Sequence, residues 1–485
     1  MKRRKQRVEP HLRVYANRSV LVLEDGSEFV FVEGNQSEQA KARYEQIVKQ
    51  LQSGWLEQLY GNLLSASEQF ELDDTSVRLL DSITDAVTSE VGRAVVGLTV
   101  LQLCIKCLSP EQSIRLHKAG AKAGAASFSW REGVSMRQLD AQFITPFLRK
   151  HNLLRVNKYG LFMTRSLAEN YPYTPFYKAS IRGAKDAWLT LIDLVEAGRT
   201  DSLSALKYLL ARLKNRAEAF EQLAEQAIHI TERFLEVYPA YETVQATLLK
   251  HIQTSAYPAR LLEVSMHSFL QVLEEIGKLS GHLSPLCQMR TANKKHRNIA
   301  DIEILDEAGN IVEAWDCKYG KTYLYDELHE LGEKLENKQV ELVGFVVDTQ
   351  PDLRGEVQSL MREVSEATEA DVRILSLSDW IELLLQRYGL ERERDSIARS
   401  WMRVYIECLC QKRREKAPID EPADQWVRDW IALIEVELYQ SHGRSLQLPP
   451  SCRFPPASRG EPRTGSVPPA RRGNLKEGVI NCLFL

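Results

Sequence analysis

The sequence predicts a multidomain α+β protein, and three observations support that fold class. The chain has 485 residues, which is enough for two to four domains with separate hydrophobic cores. Most of it carries apolar residues at helical spacing, whereas residues 299–318, 340–348 and 372–377 have the pattern of strands. Beyond about His442 both patterns end, because residues 443–485 hold seven of the 18 prolines and almost no helical periodicity.

Composition indicates a globular protein rather than a fibrous or membrane-spanning one. The chain is 44% hydrophobic and 27% charged, which is ordinary for a globular protein. We expect no membrane partner, because no apolar run approaches 18 residues and the basic N-terminus lacks an apolar signal segment. The eight cysteines are scattered, which favours a reducing, cytoplasmic location. With a formal net charge of −3, any affinity for nucleic acid must come from local basic patches.

Two short cysteine spacings are open to two interpretations. Cys104 with Cys107, and Cys408 with Cys410, have spacings that two halves of a zinc site would show. However, Cys104 and Cys107 lie in an apolar helical pattern without neighbouring histidines. We therefore favour buried structural thiols over a zinc site.

The N-terminal residues 1–120 predict a small hairpin followed by helices. Strand-like residues from Arg13 to Glu33 turn at Asp25-Gly26, where glycine permits the positive φ of a tight turn. Ser37 then stands at the position of a helix N-cap, and a second apolar helix is expected from Glu90 through Leu108. These signals predict local structure and point to no catalytic or binding residue.

Residues 121–185 contain a helix followed by a candidate hairpin. Ser135 is expected to cap a helix over 135–151, although Pro146 should kink or split it. Residues 153–156 and 161–164 predict two short strands around the turn 157–160. This order is similar to a winged helix, a module that often places a helix in the DNA major groove and the hairpin against the backbone.

The same segment is strongly basic. Between Lys122 and Lys185 the sequence has 11 Lys and Arg residues against three Asp and Glu residues. We expect phosphate contacts here, because exposed cations supply most of the affinity for nucleic acid. The alternative is a module for protein contacts with solvated basic side chains. The candidate DNA-binding residues are Arg149, Lys150, Arg155, Lys158 and Arg165.

The segments on either side of residues 256–390 are helical or irregular. Residues 186–255 predict a helical connector with one long helix, and residues 391–441 predict a helical extension rich in tryptophan. Residues 442–485 are expected to be disordered, or else to be a non-native end. Six domains are therefore predicted: 1–120, 121–185, 186–255, 256–390, 391–441 and 442–485.

The stretch 297–321 concentrates acids and a lysine on two strands. Side chains alternate in Ile299–Leu305, so that Asp301 and Glu303 share one face, and the Gly and Asn of residues 306–310 suit a hairpin loop. On the return strand, the period of two places Asp316 and Lys318 on the same side. Carboxylates brought together in this way suit Mg²⁺, which prefers oxygen ligands. The alternative is an ordinary Asp–Lys salt bridge on a solvated strand.

The pattern Asp301, then Asp316-Cys317-Lys318, resembles the catalytic hairpin of the PD-(D/E)xK nuclease superfamily, which has the restriction-endonuclease-like fold. That family carries an acid on a preceding helix, and Glu263 lies in the predicted helix 259–279. Predicted elements over 259–389 follow the family order, with strands at 283–291, 299–305, 311–318, 340–348 and 372–377 and helices at 326–335 and from 378. The residue before Asp301 is Ala300 rather than proline. The resemblance covers about a quarter of the chain.

The resemblance implies a Mg²⁺-dependent endonuclease of double-stranded DNA, with Mn²⁺ as a substitute ion. Asp301, Asp316 and Glu263 would bind metal, and Lys318 would activate or orient the attacking water. A basic run ahead of the hairpin would draw the phosphodiester towards the metal. These additional candidate DNA-binding residues are Arg290, Lys294, Lys295, Arg297 and Lys321.

A separate DNA-binding module joined to such a nuclease resembles sequence-specific restriction or phage-defence enzymes, and a homodimer would cut both strands. Two alternatives remain. The chain is a transposition or recombination subunit that needs partner proteins, or it is a DNA-binding protein with an inactive nuclease fold. RNA is less favoured as a substrate, because no aromatic stacking sheet is evident.

Overall fold

The computed structural model is α+β, with two sheets among the residues that it describes, which confirms the α+β part of the predicted fold class. It describes residues 9–65, 70–119, 128–287, 298–336, 338–419, 421 and 423–441. The predicted disordered region 442–485 lies outside the described residues, as do residues 288–297.

The first sheet is antiparallel and three-stranded, in the order β1 (His11–Val14), β2 (Arg18–Val22), β3 (Glu28–Val32). The predicted turn at Asp25-Gly26 is confirmed: Gly26 has φ 80°, and Asp25 Oδ1 accepts a hydrogen bond from the Ser27 N–H at 2.9 Å. The sequence predicted two strands here, whereas the structure divides the first into β1 and β2.

Four helices follow, and the fourth lies at the centre of the N-terminal half. They are α1 (Glu38–Gln52), α2 (Trp55–Ser65), α3 (Asp74–Asp85) and α4 (Glu90–Leu108). The predicted cap is confirmed, since Ser37 Oγ accepts from the Ala40 N–H at 3.1 Å. Among the described residues, α4 is the one helix long and apolar enough to cross a membrane, and 83% of its apolar window is buried inside the protein. Such burial is typical of a core helix in a soluble protein.

The predicted winged helix is not formed. The helix after Ser135 is split into α5 (Met136–Leu139), a wide turn at Asp140–Ile144 and α6 (Thr145–Lys150), as Pro146 indicated. The predicted hairpin over 153–164 is wrong, because these residues form irregular chain and a short 3-10 turn at Leu161–Met163.

Burial explains why no hairpin forms. Leu153, Leu154, Leu161 and Phe162 all enter the helical core, so their side chains do not alternate between a core face and a solvent face. The Leu161 N–H donates to the side chain of Asp140 at 2.7 Å, which satisfies the backbone group without a strand partner.

Three helices longer than α5 and α6 follow in the chain: α7 (Lys185–Glu196), α8 (Ser202–Leu235) and α9 (Tyr241–Thr254). The predicted long helix of the connector is confirmed as α8, which has 34 residues and is capped by Asp201. It packs along α4. One buried apolar cluster extends from Ile47 to Leu213 and joins these helices to the N-terminal ones.

The second sheet has five strands: β4 (His282–Leu283), β5 (Ile302–Leu305), β6 (Ile311–Lys318), β7 (Leu342–Val347) and β8 (Asp371–Ser376). Their order follows the chain, with β4, β5 and β6 antiparallel and β6, β7 and β8 parallel. The strand predicted at 283–291 is only two residues long where the structure describes it, since residues 284–287 are irregular and 288–291 lie outside the described residues.

Helices cover both faces of this sheet. They are α10 (Pro258–Glu275), α11 (Tyr325–Leu335), α12 (Gly355–Thr368) and α13 (Leu377–Arg387). Two further helices, α14 (Arg394–Leu409) and α15 (Asp424–Ser441), follow in the chain; α14 packs on α8, α9 and α10, and Trp430 of α15 contacts Thr231 of α8 and His251 of α9. Apolar residues of α11 and α12 pack with Ala314 and Val343 on one face. On the other face Trp315 meets Trp380 of α13, and Phe269 of α10 lies against Trp380 with ring centroids 5.8 Å apart.

Gly344 allows a test of the packing of this sheet, because it lies in the buried strand β7 against Trp315 and β8. A Cβ atom at Gly344 would lie 2.2 Å from the Arg373 carbonyl oxygen and 2.8 Å from the Trp315 ring. We expect Gly344→Ala to lower the free energy of unfolding by about 2 kcal/mol through overpacking, measured by urea denaturation. Gly355→Ala is the control, since nothing lies within 4 Å of its Cβ position. Equal stability of the two variants would contradict the packing described.

Candidate active site

Four predicted side chains converge near the carboxyl end of β6. Asp301 immediately precedes β5, and the pairing of Ile302 with Trp315 places it opposite Asp316. Asp301 Oδ2 accepts a hydrogen bond from the Cys317 N–H at 3.0 Å. Lys318 Nζ lies 2.6 Å from Asp316 Oδ2. Glu263, on α10, is close enough to act electrostatically on both aspartates.

The hairpin holds these residues through its own polar contacts. In the turn, Asp306 Oδ1 accepts from the Asn310 N–H at 2.8 Å, and Gly309 adopts φ 85°. The strand starts at Ile302 rather than Ile299, because Glu303 Oε1 accepts from the Ile299 N–H at 2.5 Å and bends the chain before Asp301. This contact of Glu303 was not foreseen from its alternation with Asp301.

The two aspartates have opposite pKa shifts. Burial, followed by the neighbouring Asp316 charge, raises the pKa of Asp301 to about 8. Burial also acts to raise the pKa of Asp316, but hydrogen bonding from the Asp301 carboxyl and the charge of Lys318 outweigh it, so that pKa is lowered. At neutral pH the two carboxyl groups therefore hold one proton between them.

Lys318 is a cation in this site. Its partial burial acts to lower its pKa, but the adjacent Asp316 carboxylate outweighs burial and raises it. The ammonium group therefore remains protonated at neutral pH. Its side chain is 26% exposed, whereas that of Asp316 is 9% exposed, so Lys318 lies between the buried carboxylates and solvent.

Two residues that the sequence analysis missed complete the site. Arg260, on α10, is 4% exposed, and its Nη1 lies 2.6 Å from Glu263 Oε1 while its Nε lies 3.3 Å from Glu421 Oε1. The spacing of three residues between Arg260 and Glu263 on one helix was a signal for the first contact. No sequence pattern pointed to Glu421, which belongs to the segment between α14 and α15.

The donor set fits Mg²⁺ held by two carboxylates. Among the residues that the structure describes, no three His, Cys, Asp or Glu side chains are grouped to hold a metal ion together, and Glu263 is engaged by Arg260. Mg²⁺ commonly keeps several waters and uses one or two protein carboxylates. The mutual repulsion of Asp301 and Asp316, visible in the raised pKa of Asp301, is what a divalent cation would relieve.

The predicted DNA-binding residues differ in their surroundings. Arg155 was predicted to contact phosphate, but it pairs with Asp424 at 3.1 Å and lies over the Phe220 ring at 3.7 Å. Burial lowers the pKa of Arg155 to about 10. Its side chain is only 12% exposed, so that prediction is wrong because Arg155 is used in packing.

The other basic candidates lie nearer the surface. Arg149 Nη1 donates to the Val156 carbonyl at 2.5 Å, Lys150 pairs with Glu57 at 2.9 Å, and Lys321 pairs with Glu327. Lys158 and Arg165 are exposed. The remaining four candidates lie outside the described residues: Arg290, Lys294, Lys295 and Arg297.

Cys104, Cys408 and Cys410 are buried and Cys107 is half-buried, a placement that suits structural thiols. Cys107 Sγ donates to Ser202 Oγ at 3.5 Å, while Cys408 and Cys410 contact Gln271 and the Ala224 carbonyl respectively. Their separate partners, together with the absence of a metal-holding group among the described residues, give no support to a zinc site.

No protein-family model matches this chain, and no curated protein matches it. The functional assignment therefore depends on the residues and geometry of the site.

The raised pKa of Asp301 predicts a pH-dependent stability. Its ordinary pKa is about 3.9, so between that pH and about 8 the folded state holds one more proton than the unfolded state. The free energy of unfolding must then fall as pH rises through this window. The lowered pKa of Asp316 affects the free energy of unfolding only at pH values below this window.

Asp301→Asn removes the titrating group. In the presence of a chelator, we expect its stability relative to the native protein to rise between pH 4 and pH 8, reaching about 2 to 4 kcal/mol. Urea denaturation at several pH values measures it. Asp85→Asn, at an exposed position, should run parallel to the native protein. If the free energy of unfolding changed with pH in the same way for Asp301→Asn and the native protein, the raised pKa of Asp301 would be contradicted.

Proposed function

We propose that this chain is a Mg²⁺-dependent endonuclease of the PD-(D/E)xK type that hydrolyses phosphodiester bonds in double-stranded DNA. The observation that carries the proposal is the meeting of Asp301, Asp316 and Lys318 on two paired strands, with Glu263 on the adjoining helix. The mixed five-stranded sheet with helices on both faces supports it further. A salt bridge alone would not require a second buried carboxylate beside the first.

The position of Lys318 suits a substrate that approaches from solvent. It is the last residue of β6, and in the parallel pairing it lies level with Val347 and Ser376, which end β7 and β8. Ligands of open sheets with parallel strands commonly bind at the carboxyl ends of the strands. There the Gly320 N–H donates to Asp348 at 2.7 Å, and the glycine itself adds no side chain at this end of the sheet.

Each residue has a role that follows from its charge state. Asp301 and Asp316 would hold a Mg²⁺ ion, which would supply positive charge to a phosphate oxygen and to the attacking water. Lys318, as a protonated ammonium, would donate a hydrogen bond to the water or to the phosphate and stabilise the negative charge that develops there. Because its pKa is raised, Lys318 serves as this donor rather than as a general base. Glu263 would position Arg260 beside the two aspartates.

DNA would be gripped by the loop 157–165 rather than by a winged helix. This loop exposes Lys158, Tyr159 and Arg165, and Lys158 lies 5.0 Å from the centre of the Tyr159 ring. Exposed cations beside an aromatic ring suit contacts with the phosphate backbone. With such a grip, and with a homodimer to cut both strands, sequence-specific restriction or phage defence is the proposed role.

Cleavage assays test the catalytic residues. With Mg²⁺ and duplex DNA, we expect Asp316→Asn and Lys318→Ala each to lower the cleavage rate about 100-fold or more, because each removes a group that acts on the transition state. Supercoiled plasmid and phage DNA resolved on agarose gels measure the rate and show whether cuts are at fixed sequences.

Asp326→Asn and Lys278→Ala are matched controls for these variants. Both residues are exposed, and both variants should cleave at the native rate. Equal cleavage by Lys318→Ala and Lys278→Ala would refute the assigned role of Lys318. If the purified native chain binds duplex DNA but never cuts it, cleavage by this chain alone is excluded and a partner-dependent or binding-only protein is favoured.

Salt dependence tests the DNA-binding loop. The double variant Lys158→Ala/Arg165→Ala should reduce the slope of log affinity against log salt by about 1.8, since each lost phosphate contact removes about 0.9. Fluorescence anisotropy with a labelled duplex at several salt concentrations measures this slope. The control is Lys41→Ala, which removes an exposed lysine of α1 and should leave the slope unchanged. An unchanged slope in the double variant would show that the loop 157–165 does not contact the DNA.

A further inference from the structure

Glu303 is a buried carboxylate that contacts the chain just ahead of Asp301. It is the second residue of β5 and is 7% exposed. Its Oε1 accepts hydrogen bonds from the Ile299 N–H at 2.5 Å and from the Ala300 N–H at 3.4 Å. Ile299 and Ala300 are each only 1% exposed, so removing the carboxylate would leave two buried N–H groups without this acceptor.

These two hydrogen bonds hold a bend in the chain. Residues 299–301 are bent, and β5 begins only at Ile302. Successive N–H groups of an extended strand point to its opposite edges, whereas the Ile299 and Ala300 N–H groups donate to the same oxygen. Consecutive N–H groups turned to one side form a concave site for an anion. The Glu303 carboxylate fills that site, and its hydrogen bonds therefore stabilise the bend against extension of the strand.

The bend determines where Asp301 lies. Asp301 follows Ala300 directly, and its Oδ2 accepts from the Cys317 N–H of β6 at 3.0 Å. The neighbouring Asp316 carboxylate repels it, which contributes to the raised pKa of Asp301. The Cys317 N–H opposes that repulsion at the side chain, and the bend opposes it at the backbone. The two restraints together keep the carboxylates close.

We infer that Glu303 is a positioning residue: through the backbone of residues 299 and 300 it holds Asp301 beside Asp316 in the arrangement that binds a divalent cation. This inference rests on the proposed function and concerns how its metal site is prepared. In this role Glu303 does not ligate the ion, because its Oε1 is engaged by backbone N–H groups. A site whose ligands are already in place binds its ion more tightly, since the ligands need not be ordered on binding.

Equilibrium binding of Mn²⁺ tests this role with a readout other than activity. Free Mn²⁺ is measured by its electron paramagnetic resonance signal during titration of the full chain. We expect Glu303→Ala to bind Mn²⁺ about tenfold or more weakly, because loss of a group that orients a metal ligand typically costs about 10–100-fold in affinity. Glu303→Gln should bind within about threefold of the native protein, since its amide oxygen can accept the same hydrogen bonds.

Glu313→Ala is the matched control. Glu313 is another buried carboxylate of the same hairpin, 8% exposed; it accepts from the Trp315 indole N–H at 2.6 Å and pairs with Arg387 at 2.7 Å. These partners lie on β6 and α13 rather than ahead of Asp301. Its loss should lower the free energy of unfolding, measured by urea denaturation, and leave the Mn²⁺ affinity at the native value.

Glu303→Asp supplies a second measurement in case Glu303→Ala does not fold, as judged by circular dichroism. It keeps the charge but is one methylene shorter, which withdraws the oxygen from the Ile299 N–H, so Mn²⁺ should bind about fivefold or more weakly. Native affinity in folded Glu303→Ala or folded Glu303→Asp overturns the inference.

Two other results also overturn it. Equal weakening in Glu303→Ala and Glu303→Gln would show that the charge of Glu303 matters rather than its hydrogen bonds. Equal weakening in Glu303→Ala and Glu313→Ala would show a general loss of hairpin structure. In each of these cases, Mg²⁺-dependent cleavage by the native chain leaves the proposed nuclease intact. No Mn²⁺ binding together with no cleavage by the native chain overturns both.

Discussion

The close approach of the Asp301 and Asp316 carboxylates is the constraint on which the site depends. Two like charges in a poorly solvated place are unfavourable unless donors and cations surround them. The structure provides these groups: the Cys317 N–H donates to Asp301, Lys318 contacts Asp316, and Arg260 neutralises the adjacent Glu263. Each compensating group comes from a different position on β6 or α10, so the carboxylates require the strand and the helix to be held in register.

An aromatic layer provides that register. Phe269 of α10 lies between Trp380 and Trp401, at centroid distances of 5.8 and 5.4 Å, and Trp315 of β6 packs against the same Trp380. Trp401 also donates its indole N–H to the Ser265 carbonyl of α10 at 2.8 Å. These large buried rings fix the distance between α10 and β6 through packing that has little freedom to relax. The polar site is therefore positioned by an apolar layer beneath it.

Local patterns could be predicted from the sequence, and contacts between distant segments could not. Asp316 and Lys318 share a strand face because of a spacing of two, and the turn before them is encoded by Asp306, Gly309 and Asn310. The predicted hairpin over 153–164 was wrong because its apolar residues are buried in the core between the helices. The local sequence pattern does not show where those side chains pack. The prediction that Arg155 contacts DNA was wrong for the same reason, since its basic side chain was expected to face solvent and is instead buried against Asp424. Glu421 was missed because its partner lies on a helix far away in sequence.

The proposed cation would change the charge state of the two carboxyl groups. Without it, the raised pKa of Asp301, about 8, means that the pair shares a proton at neutral pH and carries one negative charge. A divalent ion would replace that proton and the carboxyl–carboxyl hydrogen bond with two metal–oxygen contacts. Arg260 is held in ion pairs with Glu263 and Glu421 instead. The rigid scaffold thus retains an unfavourable carboxylate pair, and binding of the proposed cation would relieve the repulsion between its two members.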